Sequence, residues 1–200
     1  MLALIDIQSG NLHSVANALA AAGAGDVAIT ADPDRVARAD RIVLPGVGAF
    51  GACAANLRAV DGLEAALGAR VLADGRPFLG ICVGMQLMAD LGSEMGEHRG
   101  LGWFRGEVDR LMPGEAAVKV PHMGWNDVTP TRAHPLLEKG EAYFLHSYAF
   151  TGAGVLATTD HAGPITAAIG LDNMIGVQFH PEKSQRYGIE LLQKFVSWAP

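Results

Sequence analysis

Two cysteines occur in this chain of 200 residues, and one of them sits between paired glycines, in Gly80-Ile81-Cys82-Val83-Gly84. The pattern G-x-C-x-G has the form of a sharp elbow, which lifts a nucleophile off the end of a strand and tips it over the start of the next helix. Glycine suits the flanking positions because the turn is tight and neighbouring backbone must come close. Free amides at a helix N-terminus, and the helix dipole, favour thiolate over thiol. That matters for a thiol whose ordinary pKa of ~8.5 leaves only a few per cent ionised at neutral pH. A small buried cysteine following a strand would carry the same letters, so a base is needed to separate the two readings.

His180 is the candidate base, in "GVQFHPEKS" (Gly176–Ser184). Residues i and i+2 of an extended segment point the same way, and Pro181 disfavours a helical conformation at His180. His180 can then face the cysteine while Glu182 orients the imidazole from behind, the nucleophile–base–orienter logic of a triad. The other six histidines have no acidic partner at i+2; His122 and His146 are the nearest rivals. Cys53, in "GACAAN", has no elbow glycines and reads as structural.

Acyl transfer also needs backbone amides aimed at a developing oxyanion. "PGVGAFG" (Pro45–Gly51) follows an apolar run, at the strand edge where open α/β sheets build their sites, and Gly46 and Gly48 could expose such amides. Its letters also fit G-x-G-x-x-G, but the run follows the third strand and lacks a clear acidic ribose partner, so the oxyanion reading accounts for it better. No C-x2-C or H-x3-H spacing is present, so neither a metal site nor a cofactor is expected.

The elements that must position these groups are legible mainly in the first half. Leu2–Ile7, Asp26–Thr30, Arg41–Phe50 (running into the glycine loop) and Pro77–Ile81 read as apolar strands. Between them lie a helical pattern at Leu12, Val15, Ala16 and Leu19, stopped by Gly23, an Asp–Pro helix start in "ADPD", and the helix-like "LEAALGARVLAD". Buried strands alternating with helices predict an α/β fold, an open and mostly parallel sheet with helices on both faces. After Gly92 short strand candidates succeed one another: "LGWFRGEVDRL", "AAVKV", "AYFLHSY", "GVLATT", "ITAAIG" and "MIGVQF". They predict added antiparallel strands in the C-terminal half. A final helix is predicted in "SQRYGIELLQKFVSW", with Ser184 as N-cap and Ile189, Leu192 and Val196 on one face. The whole of 1–200 reads as one domain.

Composition narrows the function classes. A formal net charge of −6 argues against non-specific nucleic-acid binding. No run of ~18 apolar residues suggests a membrane span, and the N-terminus lacks the basic stretch of a signal peptide. Two cysteines do not make a disulfide framework, and free thiols suit a cytoplasmic protein.

Pro45–Gly48, Gly80–Gln86 and His180–Glu182 together resemble the oxyanion strand P-G-x-G, the elbow G-x-C-x-G-x-Q and the H-P-E ending of the class I (triad) glutamine amidotransferases. The resemblance implies a glutaminase in which Cys82 attacks the side-chain amide of L-glutamine, with His180 and Glu182 completing the triad. It also implies that Gln86, backbone groups of Gly46, Val47 and Gly48, and Val83 hold the substrate. "GNLHSV", "VPHMGWN", "YFLHSY" and "HPEKS" narrow the likeness to the HisH family, the glutaminase subunits of imidazole glycerol phosphate synthase. That implies a heterodimer with a (β/α)8-barrel cyclase, HisF, which receives the ammonia. His146, Ser147 and Tyr148 would line the glutamine site, chiefly through backbone contacts, and Asn11, Trp125, Tyr143 and Lys183 would face the partner. This chain departs from that family at Ile7 and Gln8, where Tyr and Gly are usual. Alternatives are the glutaminase subunit of another class I enzyme, of pyridoxal phosphate synthase or anthranilate synthase type, a cysteine hydrolase acting without a partner, and a non-catalytic binding module of the same fold.

Overall fold

A computed structural model describes residues 1–112 and 118–200. Its strands are β1 (Leu2–Ile5), β2 (Val27–Thr30), β3 (Arg41–Gly46), β4 (Phe78–Cys82), β5 (Ala89–Gly92), β6 (His98–Arg99), β7 (Phe104–Arg110), β8 (His122–Pro130), β9 (Gly140–His146), β10 (Tyr148–Gly152), β11 (Val155–Asp160), β12 (Pro164–Leu171) and β13 (Met174–Val177). The helices are α1 (Leu12–Ala21), α2 (Pro33–Val36), α3 (Phe50–Ala59), α4 (Leu63–Gly68, continued by a π-helical turn Ala69–Ala73), α5 (Val83–Gln86) and α6 (Gln185–Ser197).

Among the described residues the main sheet runs β2-β1-β3-β4-β13-β12-β11-β8-β9. The first five of these are parallel, and from β12 outward every pairing is antiparallel. The expected architecture is therefore present. A second, four-stranded sheet, β10-β7-β5-β6, begins with β5, just ahead of the change of pattern expected after Gly92. β1, β3, β4 and β13 consist almost wholly of buried residues, which is why they read as continuous apolar runs rather than alternations. Right-handed crossovers send β1→β2 and β3→β4 in opposite directions along the sheet and so place their helices on opposite faces. Accordingly α1 packs on α6, while α2 and α3 pack on α4.

Several elements differ from expectation. The strand expected at "AAVKV" falls partly outside the described residues, and 118–120 form no strand. α3 is unexpected, because "FGACAANLRA" is rich in small residues and shows little periodicity. β8 is unexpected too: it alternates exposed and buried residues but includes Gly124 and ends on Pro130. "AYFLHSY" is two strands in different sheets, broken at Ser147. Ser184 does precede α6, but its side chain does not cap the helix. Its Oγ donates to the carbonyl of His180 at 2.7 Å and accepts from the amide of Tyr143 at 2.9 Å. The fully covered face of α6 is Gly188, Leu191, Leu192 and Phe195, with Ile189 and Val196 only half-buried.

The departure at Ile7 and Gln8 has a structural reading. Ile7 is buried in the core, whereas Gln8 takes φ 55°, the left-handed region that a glycine occupies without strain. The amide of Gln8 is held by Asp6 Oδ1 at 2.8 Å. This loop thus keeps a glycine-like conformation with a side chain on it.

The parallel register does the positioning. Gly46 pairs directly with Cys82, and Val177 with Ile81, so the loop after β3, the elbow after β4 and the segment after β13 leave the sheet side by side at one edge. The elbow closes by backbone contact alone. A Cβ on Gly80 would lie 2.7 Å from the carbonyl oxygen of Gly84, and a Cβ on Gly84 would overlap the carbonyl oxygen of Leu44. Gly84→Ala should cost about 3 kcal/mol of unfolding free energy in denaturant titrations, the upper end of overpacking effects. Gly25→Ala, with nothing within 4 Å of the added carbon, should stay within about 0.5 kcal/mol of the parent; equal losses in the two would refute the account.

Candidate active site

Cys82 occupies φ 53°, ψ −112°, a conformation that side chains rarely adopt and that the two glycine approaches enforce. The helix that follows is a single turn, Val83–Gln86, shorter than the elbow pattern suggests. Any dipole effect on the sulfur is therefore that of one turn and its free amides. The side chain of Cys82 faces a cavity of about 270 Å3, whose walls come from both sheets.

Segments distant in the sequence form those walls. Val47 and Gly48 come from the loop after β3, Cys82, Val83 and Gln86 from the elbow, and His180 and Lys183 from the turn after β13. His146, Ser147 and Tyr148 enter where β9 passes into β10. Gly46 is in register with Cys82 but stands behind the wall, where a Cβ would press on Gly84 and Val83. Glu94, Pro121 and Leu145 also line the cavity, and sequence reasoning misses them. Glu94 binds the amide of Phe50 at 2.8 Å and so holds the start of α3 against the cavity. No local pattern marks it; only its position beside α3 does.

His180 and Glu182 are in contact, Nδ1 to Oε1 at 2.8 Å, with both side chains almost fully buried. The backbone between them is not the extended segment expected from the sequence. Pro181–Lys183 is a turn of 3-10 helix, which folds Glu182 back onto the ring. Backbone bonds fix the histidine further, its amide donating to the carbonyl of Tyr143 at 2.9 Å. Burial would lower the pKa of His180, but the side chains of Cys82 and Glu182 outweigh it and raise it to about 9. The imidazole thus carries its proton at neutral pH.

A buried polar chain runs behind the cavity. Asn126 Nδ2 lies 3.0 Å from His122 Nε2, His122 Nδ1 lies 3.0 Å from His146 Nε2, and His146 Nδ1 lies 2.9 Å from the carbonyl of Tyr148. Only a donor can face that carbonyl, so His146 carries its proton on Nδ1 and His122 must donate to it in turn. Desolvation lowers His122 to about 4 and His146 to about 3. The ring of His146 is therefore fully engaged within the protein, and the cavity meets its backbone. Gln86 Nε2 reaches the same Tyr148 carbonyl and Gln178 Oε1, each at 3.0 Å.

Cys53 lies fully buried on α3, and burial pushes its thiol pKa up. Its Sγ is 3.2 Å from Ser9 Oγ, and the Ser9 hydroxyl donates to the carbonyl of Val47. Though not at the cavity, Cys53 therefore supports the loop that is. Of the remaining positions, Asn11 is exposed and caps α1 through Ser14. Trp125 is 48% exposed, meets Tyr143 edge-on at 6.2 Å, and Lys183 Nζ lies 5.8 Å from the Tyr143 ring centre.

These opposite histidine shifts set a pH window. His180, raised above the ordinary 6.5, contributes stability that is complete below 6.5 and lost as pH rises through about 9. His122 and His146, depressed, contribute stability that is complete above 6.5 and lost as pH falls towards their folded values of about 4 and about 3. Denaturant unfolding across pH should show a maximum near neutrality. His180→Asn should flatten the alkaline limb and His122→Asn the acid limb; limbs unchanged in both variants would contradict the assignment.

Comparison with known proteins bears on family and fold. The family model described as glutamine amidotransferase class-I matches residues 3–198. The imidazole glycerol phosphate synthase subunit HisH of Zymomonas mobilis is 58% identical over 100% of this chain and 96% of its own length. HisH of Ruegeria pomeroyi is 52% identical, with 100% of both chains covered. Among solved structures, a glutamine amidotransferase superposes with a TM-score of 0.71 at 19% identity, covering 95% of this chain and 98% of that one. PurLQS from Thermotoga maritima gives 0.70 at 17% identity, covering 97% and 94%. The structural likeness speaks for the fold alone; the match from residue 3 to residue 198 and the full-length relatives go further, and the chain belongs to the class-I glutamine amidotransferase family.

Proposed function

We propose that this chain, as one glutamine amidotransferase domain, is the glutaminase subunit of an imidazole glycerol phosphate synthase, working in the cytoplasm. The observation that carries the chemistry is the buried His180–Glu182 pair on a cavity wall shared with Cys82. The full-length likeness to HisH subunits supports the choice of complex.

The reaction follows from the protonation states. A thiolate is the attacking species for acyl transfer, and a protonated His180 is ready as the acid. Cys82 Sγ attacks the side-chain carbonyl carbon of L-glutamine, and amides of the Gly46–Gly48 loop receive the oxyanion. The proton of His180 passes to the amide nitrogen, the C–N bond breaks and ammonia leaves, giving a glutamyl thioester. His180, now neutral, takes a proton from water as it adds to the thioester carbon. Breakage of the C–S bond then releases glutamate. Glu182 holds the ring through Nδ1 and stabilises its charged form. Glu94 offers the cavity a carboxylate suited to the α-ammonium of glutamine.

The ammonia is delivered to a (β/α)8-barrel cyclase, HisF, which binds as the other half of a heterodimer. There it contributes to imidazole glycerol phosphate and an aminoimidazole carboxamide ribotide, in histidine biosynthesis. Support for the docking face comes from Trp125, a large aromatic side chain left half in solvent, from Tyr143 edge-on beside it and from Lys183 over the Tyr143 ring. Lys183 links that face to the cavity, since it borders both.

The test is release of glutamate from glutamine by the chain with and without the cyclase and an analogue of the cyclase substrate. Cys82→Ala should lower release at least ~10³-fold. Release that needs Cys82 but ignores the cyclase would point to a different acceptor enzyme; none from the bound complex would leave a binding module. Trp125→Ala should weaken cyclase binding by about 2 kcal/mol, roughly thirtyfold in Kd. An unchanged Kd would move the docking face elsewhere.

A further inference from the structure

Gln178 is fully buried, follows β13 directly and stands two residues before His180. Its backbone amide is tied to the carbonyl of Ala167 on β12 at 2.9 Å. Its side chain lies between Gln86 and the sulfur of Cys82, with Nε2 3.7 Å from Sγ. An amide side chain could in principle be turned either way, so the polarity of this contact has to be argued from its neighbours.

One backbone group settles it. The carbonyl of Tyr148 can only accept, so the group of Gln86 that meets it must be the NH2. That same NH2 meets Gln178 at 3.0 Å, so Gln178 must offer its carbonyl oxygen there. Its own NH2 is then turned on Cys82. Reversing Gln178 would set donor against donor, and reversing Gln86 as well would set two carbonyl oxygens together, each leaving buried polar groups unpaired. The polarity runs from Tyr148 through two glutamines to the sulfur without an alternative.

We infer that Gln178 is a positioning residue of the nucleophile, donating an N–H to Cys82 Sγ from a side chain that Gln86 and Tyr148 lock in place. Besides the His180 ring, which also interacts with the sulfur, the carbonyl of Leu145 lies 3.9 Å away and can only receive a proton from it. The Gln178 amide therefore supplies a fixed donor inside the protein. A bond of this kind is strongest when the sulfur is charged, which is the attacking state. It also limits rotation of a side chain whose backbone is already in an unusual conformation. Gln86 gains a second role, since both its amide hydrogens are committed to this lock and its oxygen is left for the cavity it lines.

The kinetic part of this inference rests on the glutaminase reading; the contact with sulfur does not, and the experiment keeps them apart. Gln178→Glu retains an acceptor for Gln86 but loses the donor to sulfur, and Gln178→Met loses both while keeping length. In the complex with the cyclase, both variants should lower kcat for glutamine hydrolysis about tenfold, the value of one lost hydrogen bond, with KM within about twofold. Alkylation of Cys82 by iodoacetamide, read by mass spectrometry, should slow by about the same factor in the free chain. In the unmutated chain, the side-chain amide signals of Gln178 should shift in NMR spectra when Cys82 is alkylated, a readout that needs no variant to fold. Folded variants alkylated at the parent rate, or amide signals that do not move, would overturn the inference. Slowed alkylation in a chain that releases no glutamate would uphold it and sink the glutaminase reading instead.

Discussion

Gly84 passes so near the carbonyl of Leu44 that no side chain can stand between them, and the placement of Cys82 follows from that approach. The one-turn helix α5 can fold down on β3 and β4 only through this gap. Because it does, the chain must reverse at Cys82, and the reversal puts that residue at φ 53°. The strain is local and is held by two buried strands in direct register, Gly46 opposite Cys82. Everything else at the cavity is arranged around a sulfur whose backbone has little freedom to move.

Burial acts on the three inner histidines in the same sense, by penalising charge, yet leaves them in different states. At His122 and His146 the neighbours are other imidazoles, an amide and a carbonyl, so desolvation wins and both stay neutral. At His180 the carboxylate of Glu182 and the sulfur of Cys82 outweigh it. Proton-carrying and proton-free rings are thus kept apart by what each faces rather than by depth. The neutral pair serves the structure by donating to the carbonyl of Tyr148, the same acceptor that holds the amide of Gln86.

How much of this can be read in the sequence depends on the range of the contact. The strands β1, β3 and β4 and the elbow glycines are legible because each is a local pattern: an apolar run, or two glycines at fixed spacing. Glu182 is found by a local argument whose geometry is wrong, since the contact is made by a 3-10 turn and not by an extended strand. Ser184 reads as a cap because a serine before a helix usually is one; here its hydroxyl secures the backbone of His180 instead. Glu94 lies in no quoted motif, and Pro121 and Gln178 lie in quoted motifs that assign them no role. Each enters the site from a segment whose own periodicity says nothing about it, and only the assembled sheets bring it to the cavity or the sulfur. α3 and β8 escape for a compositional reason, small residues in one and glycine and proline in the other.

The strand order carries a consequence for how the molecule is made. β4 is translated near the middle of the chain, but its partner on one side, β13, is among the last strands to be synthesised. Until that strand inserts between β4 and β12, the centre of the main sheet has an open edge, and the antiparallel strands beyond it have nothing to join. His180 arrives only three positions after β13 ends. A growing chain therefore holds Cys82 without His180 for about half of its synthesis, and closure of the sheet and the meeting of thiol and imidazole are a single late event.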